Sequence, residues 1–125
     1  MTAEDLKKRR ARTRQIKISV TGRKSGATIT IPVWFVVEGD KLDLLPVNGS
    51  DTQWFKNLKK NRVLGISTGD LEASFKPALV RDAEAVKAVV EKFRSKYGAA
   101  DVKKYYRKFD VAVRVELNQP ASAAA

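Results

Sequence analysis

Two apolar-patterned runs, separated by a short glycine-bounded turn, constrain the fold more than any other feature. Residues 16–20 alternate apolar and polar side chains, and residues 27–37 are again rich in β-branched and aromatic types. A period of two is typical of a half-buried strand. The intervening residues 22–26 are too few for a crossover helix, so we expect an antiparallel hairpin. Pro32 within the second run predicts an edge position, a bulge or a bend.

The remaining elements follow the same logic. Ser50 and Gln53 have the spacing of a capping box that opens a helix, and an amphipathic stripe runs from Asp82 to a terminating Gly98. Further strands are predicted at residues 41–45, at residues 63–67, at residues 71–80 with a late break at Pro77, and at residues 110–117. Helices are predicted after Ser50 and after Asp82, with a short helix at residues 101–108. The six strands and the two longer helices have the order β-β-β-α-β-β-α-β, and with tight turns between strands this order predicts a small closed or partly closed antiparallel barrel.

The length of 125 residues predicts one domain with terminal extensions. We expect a basic helix or arm at residues 1–14, a cofactor-binding barrel at residues 15–118 and a disordered tail at residues 119–125. No stretch approaches the roughly 18 apolar residues of a membrane span. The basic N-terminus is not followed by the apolar run of a signal peptide, so we expect a cytoplasmic protein.

Composition excludes several kinds of chemistry. The sequence contains no histidine and no cysteine, which excludes serine–histidine and cysteine–histidine hydrolases. It also shows no carboxylate cluster, and we expect no metal site. Acid–base work would therefore need tyrosine, lysine or a carboxylate. Tyr105 and Tyr106 are candidate proton donors or stacking platforms, with packing as the simpler interpretation.

The charge of the chain is strongly positive and unevenly distributed. The formal net charge is +11, and residues 7–24 hold nine basic residues and no acid. Such a field attracts an anionic partner: a phosphorylated small molecule, a nucleic acid or a membrane surface. No aromatic residue interleaves the basic N-terminal run, so we expect no specific nucleic-acid binding. A weak membrane-surface association remains open.

Two local patterns suggest a ligand site. The turn Thr21-Gly-Arg-Lys-Ser-Gly26 combines flexible glycines with the guanidinium fork of Arg23, the ammonium of Lys24 and the hydroxyl of Ser25, a set suited to a phosphate. A solvated basic turn is the simpler alternative. Trp54 and Leu58 share one helix face and either pack in the core or lie beside a ligand.

The order of these motifs resembles the deazaflavin (coenzyme F420)-dependent nitroreductase family. The segments that carry the resemblance are residues 18–26, 31–35, 38–40 and 54–61, and the similarity in order runs from about residue 16 to residue 117. The resemblance implies a six-stranded antiparallel split β-barrel with two to three flanking helices, mainly β within the α+β class. It also implies hydride transfer from reduced F420 to an electron-poor small-molecule acceptor such as a quinone, enone or nitroaromatic.

The resemblance implies where the anionic, phosphorylated cofactor would lie. The cofactor-binding residues would be Arg23, Lys24, Ser25, Gly26, Pro32, Trp34, Pro46, Asn48, Gly49, Trp54 and Asn57. The loop at residues 46–50 is shorter than in the family, and the family's substrate-side tyrosine has no counterpart here. FMN in the same cleft, a non-catalytic FMN- or haem-type binder, and a basic nucleic-acid-binding module are therefore alternatives. A homodimer is expected by analogy with other split barrels.

Overall fold

The described part of the chain folds as a mixed α+β structure of two antiparallel four-stranded sheets and three helices. The computed structural model describes residues 15–68 and 71–118, without the side chains of Thr68 and Leu71. The predicted arm at residues 1–14, the turn at residues 69–70 and the tail at residues 119–125 lie outside the described residues. The strands are β1 Gln15–Thr21, β2 Thr28–Trp34, β3 Val36–Glu38, β4 Lys41–Leu44, β5 Leu64–Thr68, β6 Leu71–Phe75, β7 Ala78–Val80 and β8 Ala112–Glu116.

The predicted hairpin is confirmed and forms one side of the first sheet. That sheet has the order β2-β1-β5-β6, and the second has the order β3-β4-β8-β7. Ile18 lies opposite Ile31, and Lys17 lies opposite Pro32. Strand β2 is therefore an edge strand, which explains why Pro32 is tolerated there, since proline has no amide hydrogen to donate to a second neighbour.

The predicted number of six strands is not confirmed, because two long runs each divide into two strands at a corner. Residues 27–37 yield β2 and β3 with a break at Phe35, and residues 71–80 yield β6 and β7 with a break before Ala78. At each corner the chain passes from the first sheet to the second. At Phe35 the hydroxyl of Tyr97 accepts from the Phe35 amide at 3.1 Å and donates to its carbonyl at 2.9 Å, which satisfies the interrupted backbone.

The helices are α1 Gln53–Lys60, α2 Ala83–Tyr97 and α3 Ala99–Tyr105. The predicted ends of α2 are confirmed: Asp82 accepts from the Ala85 amide at 3.0 Å, and Gly98 follows the last turn with a φ of 96°. Helix α3 lies two to three residues earlier than the predicted segment at residues 101–108.

The predicted capping box at Ser50 is wrong. Helix α1 has Thr52 at its N-cap, without a side-chain capping bond, and Ser50 lies in a preceding 3-10 turn, Gly49–Asp51. The Ser50 hydroxyl donates instead to Asp110 Oδ2 at 2.6 Å. The Ser50 hydroxyl therefore binds a carboxylate 60 positions away in the sequence and does not cap helix α1.

Two apolar clusters hold the layers together. The main core lies between the sheets and includes the fully buried Ile18, Phe35 and Phe55. A second cluster packs α2 against the other face of the second sheet and includes Phe93 and Tyr97. These clusters leave the two ends of β2 at the surface, where the candidate site lies.

Candidate functional site

A cleft of about 390 Å³ lies at the C-terminal end of β2. It is lined by Gln15, Pro32, Trp34, Val47, Tyr105 and Tyr106, and we call it the Trp34 cleft. Its volume falls within the roughly 300–1,000 Å³ of small-molecule sites, and its walls are mostly apolar and aromatic, as such sites usually are. It unites Pro32 and Trp34 with the predicted tyrosines, which lie some 70 residues later in the chain.

Trp34 is held in this cleft by a cluster of tyrosines. Its ring stacks on Tyr97 with centroids 4.2 Å apart and planes 9° from parallel. Tyr105 meets it edge-on at 5.6 Å, and Tyr106 lies tilted at 6.0 Å. Aromatic pairs in these geometries contribute beyond the area they bury. The half-buried indole is therefore a rigid wall against which a planar ring can lie.

The two tyrosines of the cleft differ in their chemistry. Tyr105 is 50% exposed, whereas Tyr106 is 6% exposed. Burial, with a smaller contribution from Tyr97, raises the pKa of Tyr106 well above its ordinary value. Tyr106 therefore stays a neutral phenol, and the solvent-accessible Tyr105 is the better placed of the two to exchange a proton.

The loop after β4 forms another part of the cleft and is tied to the segment after α3. The Arg107 amide donates to the Val47 carbonyl at 2.8 Å, and the Asn48 amide donates to Thr52 Oγ1 at 2.8 Å. Pro46 is buried beneath the loop. Val47 thus reaches the cleft, while the Asn48 amide is already used within the loop.

Gly49 has a structural neighbour that explains its identity. Its φ is 56°, and a Cβ there would overlap Asp110 Oδ1. Asp110 also accepts from the Ser50 amide at 2.9 Å. Burial raises the pKa of Asp110, but its hydrogen bonds from Ser50 and the charge of Lys108 outweigh that effect and lower the pKa overall. The predicted cofactor residue Gly49 therefore packs against Asp110, a contact that no local pattern around Gly49 indicates.

The turn at the other end of β2, residues 22–27, is closed by its own backbone. The Gly22 amide donates to Ala27 O at 2.8 Å, and the Gly26 amide donates to Gly22 O at 2.9 Å. Gly26 has a φ of 74°, a conformation that favours glycine. Ser25 Oγ accepts from the Ala27 amide at 3.1 Å, so this hydroxyl serves the turn, and Lys24 is exposed.

Arg23 is docked onto helix α1. Its amide and its Nη1 both donate to Asn57 Oδ1, at 3.1 and 2.8 Å, and its Nη2 donates to Gln53 Oε1 at 2.8 Å. Lys60 Nζ donates to the Arg23 carbonyl at 3.1 Å. Both side-chain acceptors are neutral amides, so the guanidinium charge is not compensated by them. The turn and this helix face together present a basic surface suited to an anion.

The predicted site residues thus fall into four places, one of which is the loop after β4 with Pro46, Asn48 and Gly49. Pro32 and Trp34 line the cleft, whereas Arg23, Lys24, Ser25 and Gly26 lie at the opposite end of β2, about 20 Å away for six residues of extended strand. Trp54 is 6% exposed and packs in the main core, which favours its packing interpretation. Sequence reasoning missed Gln15 and Gln53, since no spacing rule links either residue to its partners.

The described residues contain neither a group of metal ligands nor a membrane-spanning helix. Within residues 15–68 and 71–118, no three His, Cys, Asp or Glu side chains are grouped so as to hold a metal ion. In the same ranges no helix is long and apolar enough to cross a membrane.

The chain belongs to the DUF2255 family, described as an uncharacterized protein conserved in bacteria, whose profile matches residues 6–117. No curated protein matches the sequence. Among solved structures, an F420-H2 dependent reductase has a TM-score of 0.64 at 20% identity, covering 82% of this chain and 94% of that one.

Two further solved structures show how widely this fold is used. HutZ, the heme storage protein from Vibrio cholerae, has a TM-score of 0.71 at 16% identity, covering 95% of this chain and 92% of that one. A structure described as a domain-swapped dimer has a TM-score of 0.65 at 20% identity, covering 82% of this chain and 80% of that one. At these identities the likeness establishes the fold, which is the split-barrel fold that the sequence resemblance implied.

Proposed function

We propose that this member of the DUF2255 family is an oxidoreductase that transfers a hydride from reduced F420 to a small electron-poor acceptor such as a quinone, enone or nitroaromatic. One observation carries the proposal: strand β2 has an aromatic cleft at one end and a basic turn at the other. F420 matches this arrangement, because it consists of a planar ring and a long anionic tail. The shared fold with an F420-H2 dependent reductase supports this assignment.

The residues of the chain fit such a cofactor in two parts. Pro32, Trp34 and Val47 would lie along the deazaflavin ring, because they form the apolar and aromatic surfaces of the cleft. Arg23 and Lys24 would hold the phosphodiester and the polyglutamate tail by charge-assisted hydrogen bonds. The bound cofactor supplies the hydride, and the protein orients the ring and excludes water from it.

Reduction of a quinone also needs a proton. Bound reduced F420 would supply one hydride and would itself be oxidised, and this hydride together with one proton would convert the quinone to a hydroquinone. We assign the protein's part in this proton transfer to Tyr105, which lines the cleft and is half exposed to solvent. Tyr106 serves as a packed wall, since its raised pKa keeps its proton in place.

The assembly we propose is a homodimer. The edge strand β2 leaves Ile29 41% exposed, with Ile31 and Val33 half-buried beside it. An apolar edge strand is a ready surface for pairing with another chain. The structural likeness to a domain-swapped dimer agrees with this proposal. Sedimentation of the purified protein tests it, with a monomer at micromolar concentration as the contrary result.

The proposed activity is tested by anaerobic oxidation of reduced F420 in the presence of menadione, followed by the absorbance of the oxidised cofactor. We expect turnover that saturates with both reactants and that depends on the protein. Absence of turnover together with absence of saturable F420 binding would refute the proposal.

An FMN-binding role is the second candidate. The observation that favours it is the engagement of Arg23 by Gln53 and Asn57, which leaves fewer free donors for a long polyanionic tail than for one phosphate. Haem has less support, because a chain without histidine or cysteine lacks two of the usual axial ligands. Competition dialysis against F420 and FMN separates the candidates: tight FMN binding that F420 does not displace would favour the second.

A further inference from the structure

Two cationic residues directly adjoin residues that line the Trp34 cleft. The first is Lys104, near the end of α3, whose Nζ lies 5.3 Å from the centroid of the Tyr105 ring. Tyr105 is a wall of the cleft. Asp101 is the acid of this short helix, and it makes no ion pair with Lys104 within the described part of the chain.

The second cation is Arg107. Its amide donates to the carbonyl of the cleft residue Val47, and it follows the cleft residue Tyr106 directly. Its side chain is exposed and has no carboxylate partner among the residues the structure describes. The next residue differs: Lys108 pairs with Asp51 at 3.1 Å and with Asp110 at 3.7 Å. Lys108 thus has a structural role, whereas Lys104 and Arg107 make no ion pair with any carboxylate in the described part of the chain.

The walls of the cleft themselves carry no charge. The lining contains no acidic residue, so nothing in the described walls offsets the two rim cations. Clefts that combine one sign of charge with apolar walls concentrate ligands of the opposite sign. A ligand that is both flat and anionic would match the aromatic walls and the cationic rim at once.

We infer that the acceptor reduced in the Trp34 cleft is a flat conjugated molecule that carries a carboxylate or sulfonate, and that Lys104 and Arg107 bind this anionic group. The inference rests on the proposed reductase function and narrows its substrate class. The redox step is unchanged: the acceptor would gain one hydride from the reduced cofactor and one proton through Tyr105, and its anionic group takes no part in bond making.

The same two cations would also suit the anionic tail of the cofactor. The placement of the basic turn favours the acceptor, because Arg23 and Lys24 lie at the opposite end of β2 from this rim. A direct comparison of acceptor and cofactor kinetics distinguishes the two sources of negative charge.

The test compares two acceptors that share a ring system, menadione and 1,4-naphthoquinone-2-sulfonate, in F420H2 oxidation by the full chain. The variant is the double substitution Lys104→Gln and Arg107→Gln. The matched control is Lys76→Gln, an exposed lysine after β6, which is at the sheet edge opposite β2. We expect the double variant to lower kcat/KM for the sulfonate about tenfold relative to its effect on menadione, mainly through KM.

Added salt should weaken the sulfonate preference of the wild type and leave that of the double variant nearly unchanged, since screening acts on the same charges. Equal effects on both acceptors would overturn the inference, and so would a rise in the KM for F420H2 with acceptor selectivity intact. The control should match the wild type with both acceptors.

A second measurement distinguishes failure of the anion-site inference from failure of the proposed reductase function. Binding of naphthalene-2-sulfonate and of the neutral naphthalene-2-sulfonamide is followed by tryptophan emission without any cofactor. If the wild type shows no F420H2 oxidation but the rim binds the sulfonate selectively through Lys104 and Arg107, the reductase function fails and the anion site stands. If binding shows no preference for the sulfonate, the inference itself is overturned.

Discussion

The two ends of strand β2 are built in different ways. At the start of the strand, the turn at residues 22–27 closes on its own backbone and anchors Arg23 to one helix through Asn57. At the end of the strand, the Trp34 cleft is assembled from four separate parts of the chain. The first end is polar and basic, and the second is aromatic and neutral within its walls. A local motif can therefore mark an anion site, while the site for a planar ring depends on tertiary packing.

The largest expected effect is a difference in the unfolding free energy lost when two glycines, one near each end of β2, are replaced by alanine. Gly49→Ala should cost about 3 kcal/mol of unfolding free energy, because the new Cβ would overlap Asp110 Oδ1 in addition to the strain of a positive φ. Gly26→Ala at the turn should cost only about 1 kcal/mol, since a Cβ there would meet no atom beyond its chain neighbours within 4 Å. Urea denaturation measures both. Equal losses would show that the Gly49–Asp110 contact does not hold the loop.

The second prediction concerns the aromatic end. Trp34→Ala should cost about 2 kcal/mol, because it removes a half-buried ring that stacks on Tyr97. It should also abolish detectable F420 binding. Tyr105→Ala removes a half-exposed ring from the same cleft and serves as the milder comparison. If Trp34→Ala binds F420 as tightly as the wild type, the ring lies elsewhere.

The third prediction concerns the basic end. Asn57→Ala should cost about 1–2 kcal/mol, because the Arg23 amide and guanidinium lose a buried acceptor. Calorimetric titration should show weaker F420 binding, since the guanidinium is no longer oriented. Asn57→Asp keeps the acceptor but neutralises the charge of Arg23, so it should weaken F420 binding with a smaller loss of stability. Unchanged affinity in both variants would remove the turn from the cofactor site.

The smallest effect is a pH dependence at Asp110. Its pKa is lowered in the folded chain below the ordinary 3.8, so its stabilising contribution is present above that pH and is lost as the pH falls through the folded value. Because the group is largely exposed, we expect no more than about 0.5 kcal/mol between about pH 5 and pH 2.5. Asp110→Asn should flatten this part of the stability profile. A profile unaltered by Asp110→Asn would contradict the prediction.

Features set by local spacing could be predicted from the sequence. Alternation indicated the hairpin, Pro32 predicted an edge position, a bulge or a bend, of which the edge position is observed, and Asp82 and Gly98 marked the ends of α2. Each of these depends on residues a few positions apart. The fold class followed from their order.

Features set by distant partners were missed. The predicted capping box failed because Asp110 binds Ser50, and one of the two missed strand divisions lies at Phe35, where the Tyr97 hydroxyl satisfies the backbone. The pairing of Arg23 with Asn57 spans 34 positions of sequence, and no periodicity encodes it. The sequence identified the basic turn and the aromatic residues as separate motifs. Their positions at opposite ends of β2 could be determined only from the structure.

The two tryptophans serve as reporters in the most direct test of where the cofactor ring lies. Trp54→Phe leaves Trp34 in the cleft, and Trp34→Phe leaves Trp54 in the core. Each variant and the wild type are titrated with oxidised F420, and tryptophan emission is recorded. We predict saturable quenching in Trp54→Phe at the affinity of the wild type, and binding weakened about tenfold or more in Trp34→Phe. Equal affinity in the two variants, or no saturable binding in the wild type, would contradict the assignment of the cofactor ring to the Trp34 cleft.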